Sequence, residues 1–244
     1  MSARPAWLGT LLVAAAGLVH AMQALAQGTA PPVRTVPDTI AERVRTCTAC
    51  HGKEGRATNQ GYFPRIAGKP AGYLYNQLVN FREGRRTNAA MTYLVDQLSD
   101  HYLMEIAEYF ASLDLPYPPP QTTGAPAQVM KLGEALATKG DPARNIPACR
   151  ACHGEKLTGV SPAFPGLVGL PRDYLTSQFG GWRTGKRKAA APDCMAQIAV
   201  NLSSEEISSV ATWLSAQAVP ADSHPAPALA QHLPVPCGSG LQQP

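Results

Sequence analysis

Two short stretches carry residue types whose spacing can hold a prosthetic group: Cys47-Thr48-Ala49-Cys50-His51 and Cys149-Arg150-Ala151-Cys152-His153. Both read Cys-x-x-Cys-His, the signature of covalent haem c attachment. Two thiols three positions apart can each add across one vinyl group of the same porphyrin. The adjacent histidine then falls beneath the iron as an axial ligand. The chain has six Cys and six His in 244 residues, so one such match arises by chance only about 0.004 times. The competing chemistries fit less well. A thioredoxin-type Cys-x-x-Cys needs a βαβ setting and no following histidine, and a zinc site would need two distant motifs to converge. The sequence thus points to two covalently bound haems c, with Cys47, Cys50, His51, Cys149, Cys152 and His153 as attachment and iron-binding residues.

The elements around the motifs repeat. The second motif follows the first by 102 residues (Cys149 against Cys47). Downstream, Phe63-Pro64-Arg65-Ile66-Ala67-Gly68 matches Phe164-Pro165-Gly166-Leu167-Val168-Gly169. Tyr73-Leu74-x-x-Gln77-Leu78 matches Tyr174-Leu175-x-x-Gln178-Phe179, and Arg85-Arg86 matches Lys186-Arg187. Such self-similarity predicts two equivalent folds. Leu74, Leu78 and Phe81, like Leu175, Phe179 and Trp182, follow the i, i+4, i+7 spacing of one helix face. Gly84 and Gly185 end those helices. A last helix in each half carries Leu103, Ile106, Ala107 and Phe110, or Ile207, Val210, Ala211 and Leu214. It begins at Ser99 in the first half and at Ser203 in the second, where Glu206 completes a capping box. The fold class is all-α.

A closed haem iron needs a sixth ligand, and methionine sulfur raises the potential relative to a second imidazole. Met195 is the only methionine after His153; the first half offers Met91 and Met104. Met91 precedes Ser99 by eight residues, as Met195 precedes Ser203. Met104 falls inside the last helix beside core positions, where methionine is usually packing. The iron ligands predicted are His51 with Met91 and His153 with Met195. His101, His224 and His232 are rivals, the first beside Asp100 at a helix start and the others in the C-terminal tail.

With these blocks, the Ile146-Pro147-Ala148 lead-in to Cys149 and the two Met-to-Ser endings, the chain resembles the di-haem class I cytochromes c of the cytochrome c4 family over about residues 38 to 217. The resemblance implies two tandem class I cytochrome c domains, each wrapped round one covalent haem. It also implies a periplasmic carrier, often membrane-associated, passing electrons toward a terminal oxidase or similar acceptor. In class I cytochromes a proline carbonyl about a dozen residues past the axial histidine accepts its ring N–H, a role that falls to Pro64 and Pro165. Cys194, directly before Met195, and the tail with Cys237 depart from the family pattern.

Boundaries and bulk properties follow. Arg4, the apolar run Ala6 to Val19 and Ala24-Leu25-Ala26 form an export signal cleaved after Ala26, so residues 1–26 are a signal peptide and the mature chain is periplasmic. Domains span 33–115 and 127–218, joined by a stiff Pro-rich linker at 116–126 and followed by an irregular Pro-rich tail at 219–244. Cys194 and Cys237 are the two thiols left over, and in an exported chain they pair as a disulfide. A net charge of +4, from 21 Lys and Arg against 17 Asp and Glu, is too dilute for nucleic acid. Arg82, Arg85 and Arg86, echoed by Arg183, Lys186, Arg187 and Lys188, either pair with haem propionates, attract an acidic partner, or are a solvated helix end. The function expected is single-electron transfer between a respiratory donor and a terminal oxidase or other acceptor, with redox proteins as partners and no catalytic residues of its own. The alternatives are a cytochrome subunit of a larger dehydrogenase and a di-haem peroxidase, which would need an open iron.

Overall fold

The computed structural model describes residues 36–57 and 62–240. The export signal lies outside them. The chain from Asp38 onward forms one compact unit in which two helical repeats pack against each other.

In the first repeat the chain enters through α1 (Ile40–Arg43), capped by the Thr39 side chain. It bends at the buried Val44 and continues into α2 (Arg45–His51), which carries the first motif. Gly52 follows at φ +77°, and a Cβ there would strike the Ala57 carbonyl. Only glycine turns the chain away so soon after the histidine. α3 (Ala71–Arg82) begins after Pro70 and buries Leu74, Val79 and Phe81. It ends at Gly84 in the left-handed region (φ +70°), the usual helix stop. α4 (Ala89–Val95) is capped by Asn88 and α5 (Asp100–Ala111) by Ser99. Leu74, Ile106 and Phe110 join Val44 in the core of this repeat.

The second repeat is built alike, with α6 (Ala127–Thr138), α7 (Arg150–His153) carrying the second motif, α8 (Arg172–Arg183), α9 (Cys194–Asn201) and α10 (Ser204–Ser215). α6 crosses α10 closely at Gly133, where a Cβ would run into the Ser209 carbonyl. The capping box of Ser203 and Glu206 is present at the start of α10. Between α7 and α8 a two-residue antiparallel pair, β1 (Gly159–Val160) with β2 (Phe164–Pro165), interrupts the helical pattern. Among the described residues no helix is long and apolar enough to cross a membrane.

The repeats meet about a local two-fold. Arg86 and Arg187, equivalent residues, form an isolated antiparallel bridge, flanked by Thr87 N–H to the Lys186 carbonyl (2.8 Å) and Lys188 N–H to the Arg85 carbonyl (2.7 Å). The Pro-rich segment between the repeats is extended, and it is also laid against both of them. Arg65 donates to the carbonyls of Leu115 and Pro116 and stacks 3.9 Å over the Tyr117 ring, while Gln121 N–H donates to the Ser215 carbonyl. Among the described residues the tail after Val219 has no helix beyond a single 3₁₀ turn at Gly238–Gly240. It packs nonetheless, with Ala226 bonded to Gly159 and Ser161.

Candidate haem sites

The geometry at the two histidines is the same. His51 and His153 are buried at the C-terminal ends of α2 and α7, and Nδ1 of each lies 2.8 and 2.7 Å from the carbonyl oxygens of Pro64 and Pro165. A carbonyl only accepts, so Nδ1 carries the proton and Nε2 is left with a free lone pair. Burial lowers the pKa of both rings, that of His153 to about 4, against the opposing pull of the proline carbonyls. Both imidazoles are therefore neutral at pH 7, the form that binds a metal. Three of the motif thiols answer to the same burial. Cys149 is pushed up to about 12, and Cys47 and Cys152 are raised. They are protonated thiols, not the acidic thiolate of a thioredoxin-type centre.

Both motifs open on one continuous cavity of about 1180 Å³. Met91, in the first turn of α4, and Met195, in the first turn of α9, line it, and so do Pro64 and Pro165. Met104 does not; it packs with the core of the first repeat. His101 and His232 are exposed, and His224 is engaged with Asp222 at the surface. Cys194 and Cys237 come together with sulfurs 2.04 Å apart.

The basic residues divide. Arg86 and Arg187 line the cavity between the repeats, Arg187 only 8% exposed. Arg187 lies 3.9 Å over Trp182, and Arg86 lies 4.6 Å over the equivalent Phe81. Both share the side-chain oxygens of Gln77 and Gln178. Among the described residues no carboxylate pairs with either. Burial and the neighbouring Arg86 lower the pKa of Arg187. A buried guanidinium without a counter-charge is costly, so the arrangement calls for an anion inside the cavity.

No protein-family model matches the chain. It is 38% identical over 173 residues to the thiosulfate dehydrogenase electron acceptor of Thiomonas intermedia, covering 70% of this chain and 78% of that one. It is 32% identical over 200 residues to cytochrome c4 of Pseudomonas aeruginosa, covering 81% of this chain and 90% of that one. The chain belongs to the cytochrome c4 family. The crystal structure of reduced cytochrome c4 from Pseudomonas stutzeri superposes with a TM-score of 0.63, at 28% identity, over 75% of this chain and 99% of that one.

Cytochromes c4 are electron carriers with two covalent haems c, and this chain fits two such groups. Interiors are close-packed, yet here a large cavity is walled by two complete sets of two thiols, an imidazole and a thioether. Two buried polar atoms beside it, Trp182 Nε1 and Asn76 Oδ1, have no hydrogen-bond partner. Buried polar groups are normally paired, and the indole N–H, next to Arg187, suits the same anion that the arginines require. Sequence reasoning did not anticipate the short helices α4 and α9 that carry the two methionines. Their signal was Asn88, three residues before Met91, and Asp193, two before Met195; both side chains accept N–H bonds from the first turn. It also missed that Gln77 and Gln178 face each other's arginines across the repeats.

Proposed function

We propose that this cytochrome c4 relays single electrons between a respiratory donor and a terminal oxidase or other acceptor in the periplasm, after export directed by residues 1–26. In this reading Cys47 and Cys50, with Cys149 and Cys152, tether the two haems. His51 with Met91, and His153 with Met195, hold the two irons. Pro64 and Pro165 fix the histidine rings, and Arg86 and Arg187 answer the propionates. The bound groups supply the one-electron couple. The chain's own contribution is to close both irons, exclude water from them and set them side by side.

The observation that carries the reading is the single cavity shared by both ligand sets. Two closed sites opening on each other suit passage of electrons, whereas a peroxidase needs an iron that a peroxide can reach. Stopped-flow mixing of the oxidised holoprotein with a one-electron donor should reduce both sites, consuming two electrons per chain. Rapid, saturable turnover of peroxide by the intact protein would overturn it.

A second reading narrows the donor. The 38% identity to a thiosulfate dehydrogenase electron acceptor, against 32% to a cytochrome c4, favours a dehydrogenase as the electron source. Thiosulfate-dependent reduction of this protein by a thiosulfate dehydrogenase, with none when the dehydrogenase is left out, tests that donor. Failure of this assay alone leaves the general carrier in place.

A further inference from the structure

The internal duplication allows the outer rims of the two sites to be compared position by position. In the first repeat the rim is open. Cys50 is exposed, Tyr62 is 67% exposed, Phe63 is half-buried and Ala90, just before Met91, is exposed. Asn88, the cap of α4, donates to the Tyr62 hydroxyl, so the tyrosine is held beside the methionine helix. The equivalent positions of the second repeat are Cys152, Ala163, Phe164 and Cys194. All are more covered: Cys152 and Cys194 are half-buried, Ala163 is 5% and Phe164 8% exposed.

The cover is the C-terminal tail. Ala226, Leu229, Leu233 and Cys237 pack on Val160, Phe164, Cys152 and Cys194 as one apolar cluster. The tail is fastened along its length. Ser161 N–H donates to the Ala226 carbonyl (2.8 Å), Thr158 donates to the His224 carbonyl (3.1 Å), and Gly238 N–H donates to the Pro192 carbonyl (2.9 Å). Its backbone passes close to the Phe164 ring at Gly240, where a Cβ would come within 2.8 Å of the ring. Cys237 itself, only 5% exposed, meets Cys194. Beyond it, the Ser239 carbonyl accepts from Asn76 of the first repeat, so the strap bridges both halves. Nothing comparable covers the first rim among the described residues.

We propose that residues 226–240 form a strap, locked by a Cys194–Cys237 disulfide, that seals the rim of the second haem site, leaving the rim of the first repeat at Cys50, Tyr62, Phe63 and Ala90 as the port for redox partners. This rests on the two-haem reading above. Outer-sphere exchange falls steeply with distance from the edge of the redox group. A strap of packed side chains over the second rim therefore makes that site exchange through the first. Each event at the port oxidises the donor by one electron and reduces one ferric iron to ferrous. The duplicated protein thus acquires a direction that its sequence symmetry lacks.

The test uses the oxidised holoprotein and a neutral gadolinium chelate as a relaxation probe in solution. Proton NMR should show two sets of hyperfine-shifted haem methyl signals, assigned by the set that changes in Met195→Ala. Absence of two such sets would refute the two-haem reading itself. With both present, the chelate should broaden the first-site signals at least threefold more than the second-site signals. Equal broadening in the native protein overturns the strap. In Cys237→Ser, or in Leu233→Asp, which places a charge against the apolar cluster, the second-site signals should broaden to match the first. Protection that persists in both variants while a protease cleaves the tail faster also overturns it. If neither variant folds, the native measurement alone decides.

Discussion

The side-chain oxygen of Gln178 accepts from Arg86 of the opposite repeat at 2.7 Å and from Arg187 of its own repeat at 2.6 Å. Its counterpart Gln77 accepts from the same two arginines, at 3.0 Å from Arg86 and 3.2 Å from Arg187. Four side chains from two equivalent segments thus close one ring across the repeat boundary. Gln178→Leu removes an acceptor from two inward guanidinium groups, and leaving charged donors unpaired costs about 2 kcal/mol or more. The expected outcome is a lower guanidinium midpoint at unchanged slope. An unchanged midpoint would show that the ring contributes nothing to stability.

Haem should be present at two per chain and should remain with the protein on acid-acetone extraction, because each repeat supplies both thiols. Pyridine haemochrome absorbance against protein mass checks the count. A ratio of one, or extractable haem, contradicts the double attachment.

Met91→Ala and Met195→Ala should each open one iron to carbon monoxide and halve the near-infrared band of sulfur-ligated ferric haem. Met104→Ala should do neither, since that side chain packs half-buried against the core of the first repeat, away from the cavity. Its effect should be on stability, by about 1 kcal/mol for a half-buried methionine truncated against the core. Stoichiometric carbon monoxide binding by the wild type at neutral pH would contradict closed sites.

Acid should weaken the second repeat through Glu206. Arg144 donates to both oxygens of its carboxylate, and the Ser203 N–H adds a third bond; together they hold the group below the ordinary carboxylate value despite burial. A depressed folded-state pKa gives stabilisation that is present above the unfolded value of about 4.3 and is lost as pH falls through the folded one. Glu206→Gln should therefore lower the thermal midpoint at pH 7, with the gap to wild type closing as the pH drops below about 4. Ser203→Ala removes the other half of the cap and should cost about 1 kcal/mol at neutral pH. A gap that is independent of pH would remove the charge from the explanation.

Much of this protein was legible in its sequence because the decisive signals are local. Two Cys-x-x-Cys-His motifs need only five consecutive residues each. The helix faces of Leu74 and Leu175, the stops at Gly84 and Gly185, and the caps at Ser99 and Ser203 all lie within a few positions of what they act on. Met195 is the only methionine after His153, and the eight-residue spacing that Met91 shares with it singled out Met91 over Met104; Met91 and Met195 line the cavity and Met104 does not. Tertiary structure decided what depends on residues far apart in the chain. Arg86 and Arg187 read equally as a solvated helix end, and only the meeting of segments about 100 residues apart buries Arg187 with no carboxylate beside it among the described residues. The Pro-rich tail has no periodicity to betray a packed role, because its contacts come from single apolar side chains and backbone bonds to a hairpin some 60 residues earlier. The asymmetry between an open and a covered rim lies in those long-range contacts, and not in the repeat that the sequence displays.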